Sequence, residues 1–478
     1  MMQIFFWLFG IAGIFLFNIG INLSIYVSVM IFVLAAGCLG WTYRKARVGP
    51  LIILLFVVYS LPFIHIIPYL WYDFESKGPL LFWQLTLNPY MTDKAIVELM
   101  SMIGAVGTAG FMAGALLFQR KLPIPLLVED RDSHSAHGKT LSLPFFFVWI
   151  TFAIGFTWIN APQETIFTAA YTQSNPLNQN WNFSSAWMVS YAFLLFAFAD
   201  SIFEKSAGLR KLKRKIVLIA FLVIVIWFQL LRGDRESIPC VFAALLMYFI
   251  WGKDFSRTTI GKIKKNWLII LAAGCFIVVI SYFVGVVRST SVGVHGTSDF
   301  LTSGQFRFDN LFSGTWSGGL LTPISVAGDY VNGKLPINYG QTYLGLFASI
   351  VPGFLADWIG YVRPIDGLHG PAWQMTYGIG GTHAVVVPFM NFGIAGVFII
   401  IALWSFLFAK VERWAVERMT VSKLALLGII AMAAPHWLWY GEKYVMNALI
   451  IWFILSILYR LRWVNDGINS AGQECKSF

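Results

Sequence analysis

Long apolar stretches separated by short polar ones make up most of this chain. The apolar stretches run for 14 to 24 residues, a length that suits a bilayer whose hydrocarbon core is ~30 Å thick. Because lipid offers the backbone no hydrogen-bonding partner, such segments are expected to be helical. The predicted spans are residues 4–18, 22–42, 51–71, 96–119, 142–160, 186–202, 216–231, 238–251, 267–287, 386–408, 424–440 and 446–462. The sequence therefore predicts an all-α polytopic membrane protein with about twelve transmembrane helices.

Composition agrees with this prediction. Only 12% of the 478 residues are charged, whereas soluble domains carry roughly 25%. The chain shows no internal repeat, no flexible linker and no stretch that is typical of a soluble domain. We therefore expect residues 1–478 to form a single membrane-embedded domain.

The polar loops alternate in basic content. Every second loop is rich in Lys and Arg, and together with the C-terminal segment these loops hold 25 of the 34 basic residues. The basic segments are 43–50, 120–141, 203–215, 252–266, 409–423 and the residues after 459. The positive-inside rule assigns them, and hence both termini, to the cytoplasm. The net charge of +11 thus reports topology rather than nucleic-acid binding.

One loop on the opposite, extracytoplasmic face is unusually long and spans residues 288–385. Its apolar stretch from Tyr343 to Tyr361 resembles a further span, but another span would export the basic 409–423 segment. We therefore interpret it as an interfacial or re-entrant helix broken at Pro352-Gly353. Long loops in compact proteins are commonly functional, so we expect this loop to form part of the active site.

Charged residues crowd the turn between the seventh and eighth spans. Arg232, Asp234, Arg235 and Glu236 precede Ser237, which suits the start of a helix. Two guanidinium groups beside a helix N-terminus form a site for phosphate. The alternative is a turn whose charges pair with one another and only seal the helix ends.

Three further arginines are expected on the same face: Arg288, Arg307 and Arg363. At an effective dielectric of about 20, one charge pair at ~4 Å contributes roughly 4 kcal/mol before desolvation. Several arginines would thus be needed to hold a diphosphate. The alternatives are an interfacial anchor for Arg288 and solvated surface positions for Arg307 and Arg363.

A glycine-rich segment precedes the tenth span and runs from Tyr377 to His383, with three glycines in four residues. Glycines permit positive φ and close backbone approach, and a neutral imidazole there can act as a general base. The alternative is a structural histidine. Weaker candidates on the same face are His369, Asp366, His436 and Glu442.

Signals for metal and nucleotide are weak. Asp73 and Glu75 form a carboxylate pair of the kind that a metal-dependent enzyme uses. Gly138-Lys139-Thr140 lacks the upstream glycine of a phosphate-binding loop. We therefore expect no cofactor and no metal.

Several segments resemble bacterial oligosaccharide repeat-unit polymerases, the O-antigen polymerase (Wzy) group. The resemblance lies in Asn338-Tyr339-Gly340-Gln341-Thr342-Tyr343 with Ile350-Val351-Pro352, in Gly380-Gly381-Thr382-His383, and in Asn391-Phe392-Gly393-Ile394-Ala395-Gly396. Gly233-Asp234-Arg235 looks like the family's Gly-x-Arg turn, and Arg307 is separated from Gly318 by ten residues, as in a motif of some members.

The resemblance implies a membrane glycosyltransferase of the type C architecture in the bacterial inner membrane, with a periplasmic active site. It would join undecaprenyl-diphosphate-linked oligosaccharides without metal or nucleotide, and a chain-length-regulating co-polymerase is an implied partner. In that scheme Arg235 and Arg232, with Arg288, bind the donor diphosphate, and His383 is the base. Arg307, Arg363 and Tyr377 bind the acceptor glycan.

Three alternatives stay open from the sequence. The first is the related O-antigen ligase, which transfers a finished glycan. The second is a transporter or flippase for lipid-linked glycans, which usually carries charge inside several spans. The third is a metal-dependent type C enzyme that uses Asp73 and Glu75.

Overall fold

In a computed structural model of the protein, the described residues are 2–45, 47–76, 89–117, 140–159, 186–204, 207–225, 237–251, 318–335, 337–344, 358–360, 383–440 and 442–474. They are mostly helical and contain no strand. The α-helices are α1 Met2–Asn18, α2 Ile25–Arg44, α3 Pro50–Ser60, α4 Lys94–Ala115, α5 Leu143–Ile159, α6 Ala186–Phe203, α7 Ala207–Val225, α8 Ser237–Leu246, α9 Gly318–Val331, α10 Val386–Glu417, α11 Val421–Tyr440 and α12 Lys443–Glu474. Two 3-10 helices, Pro62–Leu70 and Pro89–Thr92, and a π-helical turn, Met247–Trp251, complete the described elements.

These helices confirm the all-α prediction for the described part of the chain. By length and composition, α2, α4 and α10 can each cross a membrane, and α3 with the following 3-10 helix forms a bent fourth candidate with a 51° bend. Shorter apolar segments are Met2–Asn18, Leu143–Phe156, Met188–Phe203, Val421–Trp437 and Tyr444–Arg460. The predicted ninth span, 267–287, lies outside the described residues. The fold is that of a helical membrane protein, and the number twelve stays a prediction.

Local sequence explains where several helices begin. Ser24 precedes α2, and its hydroxyl accepts a hydrogen bond from the Val27 N–H. Pro50 opens α3, where a missing N–H costs nothing. Asp93 precedes α4, and its carboxylate accepts the N–H groups of Ala95 and Ile96 at 2.9 and 3.2 Å.

Helix α4 lies at the centre of the packing, and 89% of an apolar 18-residue stretch within it is buried. It presents glycines to α10. A Cβ on Gly110 would collide with the Phe398 carbonyl oxygen, and one on Gly114 would collide with the Ala402 carbonyl oxygen. The two glycines are spaced as in the small-residue motifs that allow membrane helices to approach closely. The backbones of α4 and α10 are therefore in direct contact.

The outer helices expose large apolar side chains. Examples are Leu8 of α1 at 61%, Val33 of α2 at 65% and Leu222 of α7 at 59% exposure. A belt of apolar side chains this exposed suits contact with lipid rather than with water.

Buried charge joins four elements near one end of the bundle. The Lys213 ammonium of α7 lies 3.1 Å from the Asp200 carboxylate and 3.0 Å from that of Glu204. It also donates to the carbonyl oxygen of Leu141, just before α5. The Tyr459 hydroxyl of α12 donates to Asp200 at 2.7 Å. Among the basic residues predicted to be cytoplasmic, Lys213 is thus part of the core.

Two glutamates mark the opposite ends of the bundle. Glu412, near the end of α10, accepts the Leu51 N–H of α3 at 2.8 Å and the Trp251 indole N–H at 3.3 Å. Glu442 lies between α11 and α12. We call these the Glu412 end and the Glu442 end. The Lys213 cluster lies at the Glu412 end. Tyr459, which donates to Asp200 of this cluster, is close in α12 to Ser456, and the Ser456 hydroxyl is hydrogen-bonded to that of Ser422 at the start of α11.

Replacing Lys213 by Met is expected to destabilise the protein, because two buried carboxylates lose their cation. Breaking a buried pair of this kind costs about 3–5 kcal/mol. The measurement is the thermal midpoint of the purified protein in detergent. Lys211→Met is the matched control, since Lys211 lies on the same helix and is exposed. Equal midpoints for the two variants would contradict a stabilising role for the cluster.

Gly110→Ala and Gly114→Ala are each expected to lower the free energy of unfolding by about 1–3 kcal/mol, because an overpacked core forces backbone shifts. The measurement is again the thermal midpoint, which should fall. Gly37→Ala in α2 is the control: a Cβ there meets nothing within 4 Å, and alanine raises helix propensity. If Gly110→Ala is as stable as Gly37→Ala, the two helices are not in backbone contact at this level.

Candidate functional site

Of the predicted site residues, His383 lies in the described part of the chain, directly before α10. It adopts a positive φ of 50°, which is uncommon for a residue with a side chain. Its backbone carbonyl accepts the Val386 N–H at 3.1 Å, which forms the first turn toward α10. The imidazole is 1% exposed, so this histidine is enclosed by the helices around it.

Both ring nitrogens of His383 have backbone partners. Nδ1 accepts the Val385 N–H at 3.3 Å, and Nε2 lies 3.1 Å from the Tyr59 carbonyl oxygen. Because a carbonyl only accepts, Nε2 carries the proton and the imidazole is the neutral tautomer. The rings of Tyr59 and Phe63 lie 5.2 and 4.9 Å from the imidazole. In this conformation His383 fixes the end of α3 to the start of α10.

Helix α10 is kinked at Gly393, where φ is 62° and ψ is −154°. The residues on either side of this break lie against the same point of α4: a Cβ on Gly107 would be 3.1 Å from both Val385 and Val397. The Tyr59 hydroxyl also donates to the Gly104 carbonyl oxygen, at 3.1 Å. Residues 383–392 therefore form a short arm that places His383 beside the middle of α4.

Residues 337–344 pack against this arm. The Asn338 N–H donates to the Met390 carbonyl oxygen at 2.9 Å, and the rings of Tyr343 and Phe392 stack at 6.2 Å with 10° between their planes. Gly340 has a φ of 87°, and a Cβ on it would lie 2.9 Å from Phe392. The structure thus brings together two segments that carry the family resemblance in the sequence.

Glu442 joins this assembly from the connection between α11 and α12. Its carboxylate is buried, at 2% exposure, and Oε1 accepts the Tyr343 hydroxyl at 3.1 Å. Its other oxygen, Oε2, has no hydrogen-bond partner in the described part of the chain. Burial raises the pKa of Glu442 to about 7, and burial with the neighbouring carboxylate also raises the pKa of Tyr343.

Asn391 is a second half-satisfied side chain in the same region, with 0% exposure. Its amide nitrogen donates to the Val387 carbonyl oxygen at 2.8 Å and to the Thr342 hydroxyl. Its side-chain oxygen has no hydrogen-bond partner among the residues described here. Glu442 was a weak candidate in the sequence, and Asn391 was noted only as part of a motif; their contacts with residues 342 and 343 could not be inferred from spacing.

The other predicted site residues lie outside the described part of the chain: Arg232, Arg235, Arg288, Arg307, Arg363 and Tyr377. Helix α8 begins at Ser237, as the turn before it predicts. The broken helix predicted from Tyr343 to Tyr361 also lies mostly outside the described residues. His436, another weak candidate, stacks on Tyr444 with ring centroids 5.3 Å apart.

The Asp73 and Glu75 pair forms a local turn. The Glu75 N–H donates to Asp73 Oδ1 at 3.0 Å, and this bond lowers the pKa of Asp73. Within the described ranges, no three His, Cys, Asp or Glu side chains are placed to hold a metal ion.

The chain matches the family O-antigen polysaccharide polymerase Wzy over residues 1–365. The match includes the arginine-rich turn and residues 337–344, and it ends before His383, Asn391 and Glu442. No curated protein and no solved structure matches the chain. Because the match covers well over half of its length, the chain belongs to the O-antigen polysaccharide polymerase (Wzy) family.

Proposed function

We propose that the protein joins undecaprenyl-diphosphate-linked oligosaccharide repeat units into a surface polysaccharide at the periplasmic face of the bacterial inner membrane. The observation that carries this proposal is the family match over residues 1–365. The apolar helices support a membrane location. The proposal includes a type C glycosyltransferase architecture that needs no metal or nucleotide, because the lipid diphosphate leaving group supplies the driving force.

The two ends of the bundle support one orientation. The predicted cytoplasmic segments 203–215 and 409–423 contribute Lys213 and Glu412 to contacts at the Glu412 end. The residues that pack around Asn391 and Glu442 lie at the other end. We therefore place the Glu412 end and both termini in the cytoplasm, and the Glu442 end in the periplasm.

The proposed reaction is a glycosyl transfer between two lipid-linked chains. The acceptor hydroxyl oxygen forms a bond to the anomeric carbon of the donor, and the bond from that carbon to the diphosphate oxygen breaks. The electron pair leaves with undecaprenyl diphosphate, and the hydroxyl proton passes to a base. Arg235 and Arg232, with Arg288, would stabilise the departing charge, and Arg307, Arg363 and Tyr377 would hold the acceptor. A chain-length-regulating co-polymerase is the proposed partner.

His383 is the proposed base, and its geometry sets a condition on that role. Nε2 carries a proton that it donates to Tyr59, and Nδ1 accepts the Val385 N–H, so the ring must give up one of these two bonds before it can accept a proton. A histidine that only anchors α3 to α10 needs no such change. The two roles differ in what a glutamine at this position does, since its amide can still donate to Tyr59 but cannot serve as a base.

Arg235→Ala is expected to lower turnover of purified lipid-linked repeat units by about 100-fold, because a guanidinium group that stabilises the departing diphosphate is lost. Arg235→Lys should recover only part of the activity, since lysine lacks the planar fork. Arg418→Ala, at an exposed position near the Glu412 end, is the control. The readout is the length distribution of lipid-linked glycan with EDTA and without nucleotide. Normal polymerisation by Arg235→Ala would exclude it from the site.

His383→Gln is expected to fold normally and to lose about 10²–10⁴-fold in kcat, as removal of a general base does. His383→Ala should in addition lower the thermal midpoint, because the bond to Tyr59 is lost. The same polymerisation assay and a melting curve measure both effects. Full activity in His383→Gln would assign the histidine to anchoring alone.

A further inference from the structure

Among the residues that the structure describes, buried acceptor oxygens without a hydrogen-bond donor at the Glu442 end include Glu442 Oε2 and Asn391 Oδ1. Leaving a buried polar group unsatisfied costs about 1–3 kcal/mol, and more for a charged one. Native proteins keep few such groups, and each of them calls for an explanation. A ligand that donates hydrogen bonds would satisfy both.

Hydrogen bonds within the protein fix the orientation of both side chains. Tyr343 donates to Oε1 of Glu442, which leaves Oε2 as the free acceptor. Two acceptors, Val387 and Thr342, take both protons of the Asn391 amide, which leaves its oxygen as the free acceptor. The bond from the Asn338 N–H to the Met390 carbonyl oxygen holds the two segments together.

The chemistry of this site selects the class of ligand. A carboxyl and an amide oxygen accept hydrogen bonds, so the ligand must present donors, and a phosphate is disfavoured by the carboxylate. Tyr343, which donates to Glu442, stacks on Phe392, the residue that follows Asn391, and aromatic faces pack on the apolar side of sugar rings. A sugar with its hydroxyl groups meets each of these requirements.

We infer that Glu442 and Asn391 form a binding site for a sugar hydroxyl of the lipid-linked repeat unit. This inference rests on the proposed function and deepens it, since it adds a glycan subsite that is separate from the arginines. Tyr343 is a positioning residue, because it orients the Glu442 carboxyl and does not supply a free acceptor. The subsite also links the glycan to the arm that carries His383.

Glu442→Gln keeps the size of the side chain and replaces an acceptor oxygen by a donor. We expect it to raise the KM for lipid-linked repeat units about 10- to 100-fold, the effect of losing one hydrogen bond to a charged group, with a smaller change in kcat. Asn391→Ala should raise KM in the same direction. Glu412→Gln is the matched control. Glu412 is also buried and has an oxygen without a partner among the described residues, but it lies at the opposite end of the bundle. The KM of this variant should therefore equal that of the wild type.

A direct binding measurement separates this inference from the proposed function. The probe is the free repeat-unit oligosaccharide, cleaved from its lipid carrier, titrated into the full-length protein in nanodiscs. Wild type, Arg235→Ala and Glu412→Gln should bind it equally, and Glu442→Gln should bind it at least tenfold more weakly. Wild type that polymerises repeat units while Glu442→Gln binds and turns over normally would overturn the inference alone. Wild type that binds the oligosaccharide but does not polymerise lipid-linked repeat units would overturn the proposed function instead.

A cation is the remaining occupant to test. If Na⁺ or Mg²⁺ raises the thermal midpoint of the wild type but not of Glu442→Gln, and glycan binding is the same in both, the site holds a metal ion and the inference fails. If neither ion shifts the two proteins differently, while the glycan does, the sugar assignment stands.

Discussion

Direct backbone contact between α4 and α10 is the constraint on which the rest of the structure depends. Lipid offers no hydrophobic driving force for helix association, so close packing has to supply the attraction. Gly110 and Gly114 permit it, because any side chain there would strike the carbonyl groups of α10. Residues 383–392, the short arm, then lie against the middle of α4, where Val385 and Val397 both approach Gly107.

That arm gives the candidate site its shape. The kink at Gly393 sets residues 383–392 apart from the rest of α10, and the His383 ring packs against the rings of Tyr59 and Phe63. The outer surface of the arm then receives residues 337–344, and Glu442 completes the contact. The two ends of the bundle thus differ in how their buried polar groups are paired. At the Glu412 end, the Lys213 ammonium is paired with two buried carboxylates, whereas at the Glu442 end the proposal assigns the free oxygens of Glu442 and Asn391 to a ligand.

The proposed reaction asks for two kinds of recognition. A departing diphosphate needs positive charge, and the arginine-rich turn before α8 offers it. A glycan needs hydrogen-bond acceptors beside an aromatic face, and Glu442 with Tyr343 offers those. The proposal therefore assigns the diphosphate to the arginines and the glycan to the carboxylate, which would repel a diphosphate. Under this scheme a change in one site alters either the departure of the lipid or the grip on the sugar.

The sequence by itself determined the helical membrane architecture, because a bilayer imposes length and apolarity on each span independently of the others. It also determined local features such as the start of α8 at Ser237, and it pointed to the family through residues 338–343 and 391–396. It did not determine that Thr342 contacts Asn391 or that Tyr343 contacts Glu442, since these pairs are separated by 49 and 99 positions. Nor did it show that His383 has both ring nitrogens engaged. Those facts follow from how the helices pack, and only the tertiary structure decided them, because a hydrogen bond depends on distance in space and hydropathy records only order along the chain.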